Sequence, residues 1–564
     1  MEFEDILRDV GDFGSFQKIL IIVFLIPTFT FIPWISLNAV FVSSTPDHWC
    51  NVPELTSSFL SIDEQKYLIR PPKDPHCTRY DLNYSALLTS QNLTIDPGWP
   101  VKKCDLGWNY DTTNYDETAV TKWNLVCEDD YYKSMVVSFV FVGVIFFTPL
   151  YGFISDRCGR KPTFLGLALL IAVTEMASAF SQNFTLFLFF RLIIGSTMSS
   201  MYCLGYIIVL ELVKPDLRAR VNGIATNCWT GGLCLLSLIA YLTRSWVYLS
   251  IVMSVAAACL LFFYRVLPES PSWLISQERY EDAARILEKI SISNQRHIPF
   301  EELIKNIQAL GKIKKESMRQ KNSPIDFLKY PVLRKRFLLS VAAWIGVSIP
   351  YYGLQANVTN LSGNEFINFF LVSIVEVPAH LITWWLLNNI GRKKTVEISY
   401  VVCALSCLIP AFAPRESSYI GVITTLLAKA GASAAFMGQY QLCPELFPTS
   451  LRGVGMGFAS TVGVGSTLLA PFIVRLNKYG YYIPYLIFAV ICVMSCFCVS
   501  FLPETLNKVL PQTVEDVERC VDDNDHLVCG LKKRQKFTLE MKLSISEQNT
   551  KVDVEGSKDI FTIS

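Results

Sequence analysis

Apolar runs of about 20 residues, separated by polar breaks, recur along most of this chain, and each is long enough to cross a hydrocarbon layer of ~30 Å. In the first half they fall at 19–42, 134–154, 162–180, 185–211, 221–243 and 245–266. In the second they fall at 337–356, 366–389, 395–413, 419–443, 453–474 and 480–501. The pattern predicts an all-α membrane protein with twelve transmembrane helices. Two long polar stretches interrupt it, 43–133 after the first run and 267–336 between the sixth and seventh. Within the second, Glu281-Asp282-Ala283-Ala284-Arg285-Ile286-Leu287 and Phe300-Glu301-Glu302-Leu303-Ile304 have the apolar spacing of short amphipathic helices, expected to lie against the ends of the bundle. The organisation expected is a six-helix bundle over 1–266 with loop 43–133, a linker over 267–336, a second six-helix bundle over 337–501 and a polar tail over 502–564.

Short motifs recur between the halves in the same order and nearly the same register. Gly159-Arg160-Lys161 returns as Gly391-Arg392-Lys393, 232 residues on. Glu211-Leu212, followed by Leu217-Arg218, returns as Glu445-Leu446 with Leu451-Arg452, 234 residues on. Leu267-Pro268-Glu269-Ser270 returns as Leu502-Pro503-Glu504-Thr505, 235 residues on. A whole multi-helix unit is therefore duplicated. Two parallel repeats meeting at a midplane site is the plan of a carrier that rocks between two openings.

Composition agrees with the pattern and removes other classes. Hydrophobic residues make up 51% of the chain and charged ones 18%, and the formal net charge of +1 gives no bulk attraction to nucleic acid. No phosphate-binding loop, zinc-type His/Cys cluster or nucleophile elbow appears, so neither ATP hydrolysis nor enzyme chemistry is expected. No cofactor or metal is implied. The start, Met1-Glu2-Phe3-Glu4-Asp5, is acidic where a signal peptide needs positive charge, so the first run is read as a retained helix.

Lys and Arg set the expected orientation. Arg157, Arg160 and Lys161 share one short loop, Lys214, Arg218 and Arg220 another; Arg334, Lys335 and Arg336 precede the seventh run, and Arg392, Lys393 and Lys394 follow the eighth. All of these lie on one side if both termini are cytoplasmic. Loop 43–133 then lies outside. It holds four of the 17 cysteines (Cys50, Cys77, Cys104, Cys127) and two sequons, at Asn83 and Asn92. Even cysteine number beside glycosylation signals reads as a disulfide-stapled extracellular loop, with three pairings open.

Gly152, Asp156, Arg157, Gly159, Arg160 and Lys161 form a G-x-x-x-D-R-x-G-R-K loop between the second and third runs. Its glycines allow a tight turn, and its Asp can pair with Arg or a helix N-terminus to latch that face. This resembles the signature loop of the major facilitator superfamily. In the second copy Asn388 replaces the Asp, which weakens that latch. Asp12-Phe13-Gly14-Ser15-Phe16-Gln17, Ala119-Val120-Thr121-Lys122-Trp123-Asn124-Leu125-Val126-Cys127 and Pro268-Glu269-Ser270-Pro271-Ser272-Trp273-Leu274 sharpen the likeness. Together with Leu502-Pro503-Glu504-Thr505 they resemble solute carrier family 22, the organic cation, anion and zwitterion transporters, over roughly residues 1–515. The opening Glu2-Phe3-Glu4-Asp5-Ile6-Leu7-Arg8 and Thr45-Pro46-Asp47-His48-Trp49-Cys50 look most like insect organic cation, carcinine and β-alanine transporter-like members.

The resemblance implies a major facilitator fold and a substrate cavity lined by Tyr202, Trp229, Trp344, Tyr351 and Phe436. Aromatic faces attract protonated amines through the ring quadrupole, by ~0.5–2 kcal/mol each, although transmembrane aromatics also serve as plain packing. Three positions depart from the family pattern. Val464 stands where cation carriers place an Asp and many anion or carnitine carriers an Arg, Ser199 where cation carriers have a Lys, and Val347 at an acidic position of some cation carriers. The missing charges favour a zwitterion or neutral amphiphile.

Arg191, Glu376, His380 and Lys429 fall inside the runs, with Glu175 nearer an end. Intramembrane charge is costly and faces a cavity or a partner. Glu376 and Lys429 match family positions and are expected mutual partners. His380 reads either as a packing histidine or as a proton-sensitive group. Glu211 and Glu445, each seven residues before Arg218 and Arg452, are expected to pair with the arginines of the motif loops and hold the outward-facing state. The reading is a plasma-membrane carrier of small organic cations or zwitterions working by alternating access among membrane lipid, with a coupling ion left unassigned. The alternatives are an organic anion exchanger and a non-transporting receptor built on the same scaffold.

Overall fold

The computed structural model describes residues 3–519 apart from 12, 58, 90–94, 97, 297, 318–325, 413–417, 449–450, 509–510 and 512. The sequon at Asn92 and the tail from residue 520 lie outside the described residues. Among the described residues, twelve helices are long and apolar enough to span a membrane. They are Ser15–Val42, Cys127–Cys158, Arg160–Ala179, Phe184–Leu210, Arg220–Thr243, Trp246–Arg265, Pro331–Asn360, Glu365–Asn389, Arg392–Phe412, Tyr419–Glu445, Arg452–Lys478 and Ile483–Ser500. Each coincides with one apolar run of the sequence, with its ends moved by a few residues.

Prolines explain where the spans break. In the eighth, one helix ends at Ile374 and the next begins at Glu376. Pro378 lacks an N–H and its ring crowds the carbonyl four residues back, that of Ile374. In the eleventh, the helix ends at Ser466, a 3₁₀ turn covers Thr467–Leu469 and a short helix resumes at Ala470. Pro471 stands in the same relation to Thr467. Both interruptions lie beside charge or cavity candidates, where freed backbone groups can be satisfied inside the protein.

One face of the bundle carries the disulfide-bonded loop. Its strands β1 (His48–Cys50), β2 (Thr78–Tyr80), β3 (Val101–Lys103) and β4 (Trp108–Tyr110) form two antiparallel pairs, β1 with β4 and β2 with β3. Cys50 is bonded to Cys104 and Cys77 to Cys127. The opposite face carries the linker helices Pro271–Ser276, Tyr280–Ser293 and Phe300–Ser317. Ala283, Ala284, Leu287 and Ile290 are buried there, with Leu303, Ile307 and Leu310. The N-terminal helix Phe3–Val10 buries Ile6, Leu7 and Val10 against this layer, and Asn294 ties it in through hydrogen bonds to Phe16 N, Gly11 O and Gln17 Oε1 of 2.9–3.0 Å.

Candidate functional site

The repeated motifs meet one another on the linker face. Gly159 has φ +107° and Gly391 φ +125°, so each loop turns through the left-handed region that favours glycine. A Cβ at either position would also collide with a carboxylate, that of Glu269 at Gly159 and that of Glu504 at Gly391. Glu269 Oε1 accepts the backbone N–H of Arg160 (2.8 Å) and Lys161 (3.2 Å), and Glu504 Oε1 accepts that of Arg392 (2.8 Å). Each carboxylate therefore satisfies N–H groups at the start of the span that follows the motif loop. Burial pushes the Glu504 carboxyl up, but the N–H groups of Leu506, Arg392 and Thr505 outweigh it and hold it below its ordinary range. Glu269 and Glu504 stand in the repeated Leu-Pro-Glu motif, and these contacts explain why that motif and the Gly-Arg-Lys loop repeat together.

The latch residues sit within their own halves. Arg392 Nε lies 3.6 Å from Glu445 Oε2, as expected, and Arg452 is within electrostatic reach of the same carboxylate. Arg160 pairs with Asp156 at 3.0 Å, one helical turn away, and Glu211 accepts a hydrogen bond from Ser270 Oγ. The local i,i+4 partner wins because it needs no long-range closure. The second copy has no such competitor, since Asn388 is neutral. Arg157 lies over the Phe153 ring at 4.4 Å, and Arg218 pairs with Glu4 at 3.2 Å.

At mid-depth the two halves face each other through aromatic rings. Trp229 Nε1 on the fifth span donates to Tyr351 Oη on the seventh at 2.9 Å. Tyr202 lies 6.1 Å from Trp229 and 6.1 Å from Tyr440 between ring centroids. Trp344 is 5.6 Å from Phe436 and 4.8 Å from Tyr440, and Phe436 is 5.0 Å from Tyr351. The five expected aromatics thus lie in one ring network. Tyr440, absent from the sequence candidates, bridges its two sides; it follows Phe436 by four residues, a helical spacing that points it the same way. Tyr202, Trp229, Phe436, Tyr440 and Ser199 are half-buried, and Trp344 and Tyr351 buried. Ser199 precedes Tyr202 by three residues on the same helix face. Val464 is buried between Gly463, which abuts Trp344, and Gly465, which abuts Ile145 of the second span.

Among the described residues, two ion pairs are sealed inside the bundle. Lys429 Nζ is 3.0 Å from Glu376 Oε1, and both side chains are fully buried. The ammonium also donates to Tyr351 O at 3.2 Å and stands over the Tyr351 ring. From the other half, Thr230 Oγ1 donates to Glu376 Oε2 at 2.9 Å. His380, one turn past Glu376, shares a 2.8 Å hydrogen bond with Ser433 through Nε2. In the first half Arg191 Nη2 lies 3.6 Å from Glu175 Oε2, again fully buried. Asn38 joins them, donating to Glu175 at 3.1 Å and accepting from Arg191 at 3.2 Å. Glu175 lies near the end of its span, Arg160–Ala179, as the sequence places it, and is nonetheless fully buried.

Asn83 is exposed at the start of a short helix in the loop, its Oδ1 accepting the N–H of Ala86 at 3.2 Å. Among the described residues His48 comes close to Cys77 and Cys127, but those sulfurs are bonded to each other and supply no thiolate to a metal.

Twelve spans in two repeats around a midplane aromatic site are the architecture of a major facilitator transporter. The fold matches that of an E. coli xylose transporter in an inward open conformation, with a TM-score of 0.58 at 17% identity over 87% of this chain and 98% of that one. The family described as "Sugar (and other) transporter" matches residues 101–516, and the chain belongs to it. Within that breadth it belongs to solute carrier family 22. It is 30% identical over 557 residues to solute carrier family 22 member 3 of Mus musculus, covering 95% of this chain and 99% of the relative. It is 31% identical over 536 residues to the carcinine transporter of Drosophila melanogaster, covering 92% and 79%.

Proposed function

We propose that this carrier moves small organic cations or zwitterions, of the carnitine, β-alanine or amine kind, across the plasma membrane by alternating access. The observation that carries the reading is the aromatic network spanning the two halves beside a neutralised Lys429–Glu376 pair. Such a site offers ring faces to an ammonium group without a free countercharge to fix the sign of the substrate. The relatedness to a carcinine transporter supports an amine-bearing substrate. In this reading the disulfide-bonded loop is extracellular and glycosylated, and both termini and the linker are cytoplasmic.

The cross-half contacts support an inward-facing arrangement. Arg475–Asp130 (2.8 Å), Ser138 to Leu468 O (2.8 Å) and Ser237 to Phe366 O (2.6 Å) all lie on the loop side of the midplane. The motif latches on the linker side stay within their own halves. The test is uptake of labelled carnitine, β-alanine, tetraethylammonium and p-aminohippurate into oocytes, with and without sodium. Saturable uptake of at least one of the first three supports the reading. Uptake of p-aminohippurate alone favours anion exchange, and no saturable uptake by surface-expressed protein favours a receptor.

A further inference from the structure

Phe366, the second residue of the eighth span, is buried in a socket made by the first half. Its ring lies 5.6 Å from Phe41, 5.6 Å from Tyr241 and 5.1 Å from Tyr115, and its carbonyl accepts Ser237 Oγ at 2.6 Å. Beside it, Glu365 Oε2 accepts Ser44 Oγ at 2.7 Å and Tyr115 Oη at 2.9 Å. Tyr115 is 5% exposed and belongs to the disulfide-bonded loop, not to a span. That loop is anchored on the first half: Arg244 Nη2 donates to the carbonyls of Thr112 and Thr113 at 2.7 Å, and Asp116 N donates to Arg244 O at 2.9 Å. Tyr115 therefore reaches from the first half to a residue of the second.

We propose that Tyr115 is a gating residue for transport, closing the outer mouth by holding Glu365 of the opposite half whenever Phe366 is seated. The proposal rests on the reading that the loop face is extracellular. Beside Phe41 on the first span, Leu37 and Val40 join Phe141, Tyr352 and Pro471 in lining a cavity of about 10 Å³ between the halves, room for one water at most. Substrate has no path through it while the socket is filled. Outward opening must pull Glu365 and Phe366 from Ser44, Phe41 and Tyr115 together, so the loop takes part in the cycle instead of merely covering it. Burial and the adjacent Glu365 carboxylate push the Tyr115 hydroxyl well above its ordinary range, which keeps it a donor. A buried carboxylate losing this donor loses part of what holds it in place.

A cysteine at Val40, buried next to Phe41 of the socket, reports opening to a membrane-impermeant methanethiosulfonate reagent applied to intact cells, against the same chain without it as background. Tyr115→Phe, which keeps the ring and removes the donor, is expected to raise the Val40→Cys modification rate about fivefold. Ser44→Ala removes the other donor and is expected to do the same by an independent substitution. Glu365→Gln combined with Tyr115→Phe is expected to add little beyond Tyr115→Phe, because both act on one contact. An unchanged rate in both Tyr115→Phe and Ser44→Ala, or multiplicative effects in the double variant, overturns the gate. Exposed Ser57→Cys serves as the sidedness control. If it reacts only after permeabilisation, the extracellular reading fails by itself, and the same rates measured in permeabilised cells still decide the gate.

Discussion

Arg191 and Glu175 lie 3.6 Å apart inside the first half, held by Asn38, whereas Lys429 and Glu376 lie 3.0 Å apart where the second half meets the first. Both pairs are fully buried. Every polar partner named for the first pair comes from its own half: Asn38 on the first span and Ser250 on the sixth. The second pair takes Thr230 from the opposite half, and its ammonium stands over Tyr351, which itself receives Trp229. A pair confined to one rigid bundle keeps its surroundings through the cycle. A pair at the seam changes its surroundings each time the halves rock. The difference predicts that the seam pair takes part in the cycle and that the first pair serves the fold.

The largest expected effect comes from replacing both members of a pair. Breaking one partner leaves a bare buried charge, a loss of ~3–5 kcal/mol, whereas replacing both by apolar residues is often neutral. Glu175→Met alone is expected to abolish surface expression, and Arg191→Met with Glu175→Met to restore both surface level and uptake. Glu376→Met with Lys429→Met is expected to reach the surface but lose uptake by about 100-fold or more, equivalent to ~2.7 kcal/mol. Surface biotinylation beside uptake checks both. Equal uptake by the two double variants would erase the distinction.

A smaller effect is expected at Val464, buried near the ring network between the seventh and second spans. Val464→Asp should raise the ratio of cation to zwitterion uptake several-fold, and Val464→Arg should favour anions, since charge in a low-dielectric site is strongly felt. Unchanged ratios in surface-expressed variants would remove Val464 from the substrate path.

The halves also differ at their motif loops, where Asp156 pairs with Arg160 and its counterpart Asn388 is neutral. Asp156→Asn makes the first loop resemble the second. A drop of about threefold in maximal rate at near-normal half-saturation is expected, in line with an exposed pair worth ~0.2–1 kcal/mol. A large rise in half-saturation at an unchanged maximal rate would move Asp156 into the binding site. The smallest effect concerns the loop. Asn83→Gln with Asn92→Gln should remove most of a glycosidase-sensitive gel shift while leaving uptake nearly unchanged; an unshifted wild-type band would contradict an extracellular loop.

The twelve spans and the duplication were legible in the sequence because lipid imposes a one-dimensional rule. Any segment that crosses must be apolar over about 20 residues, and a repeated unit must repeat its turn chemistry. The ring network was legible at Tyr202, Trp229, Trp344, Tyr351 and Phe436 only through family likeness, and Tyr440 escaped because no motif marks it. Partner choice belonged to the tertiary structure alone. Four loop cysteines allow three pairings, and only the strand arrangement brings Cys50 to Cys104 and Cys77 to Cys127. Arg160 meets Asp156 one helical turn away. Glu175 found Arg191 because consecutive spans pack side by side, and Tyr115 found Glu365 some 250 residues away because the loop folds back over the seam between the halves. Apolar length is a local property that a sequence states directly. Which buried charge meets which partner depends on how the helices close around it, and that is settled only when the chain is folded.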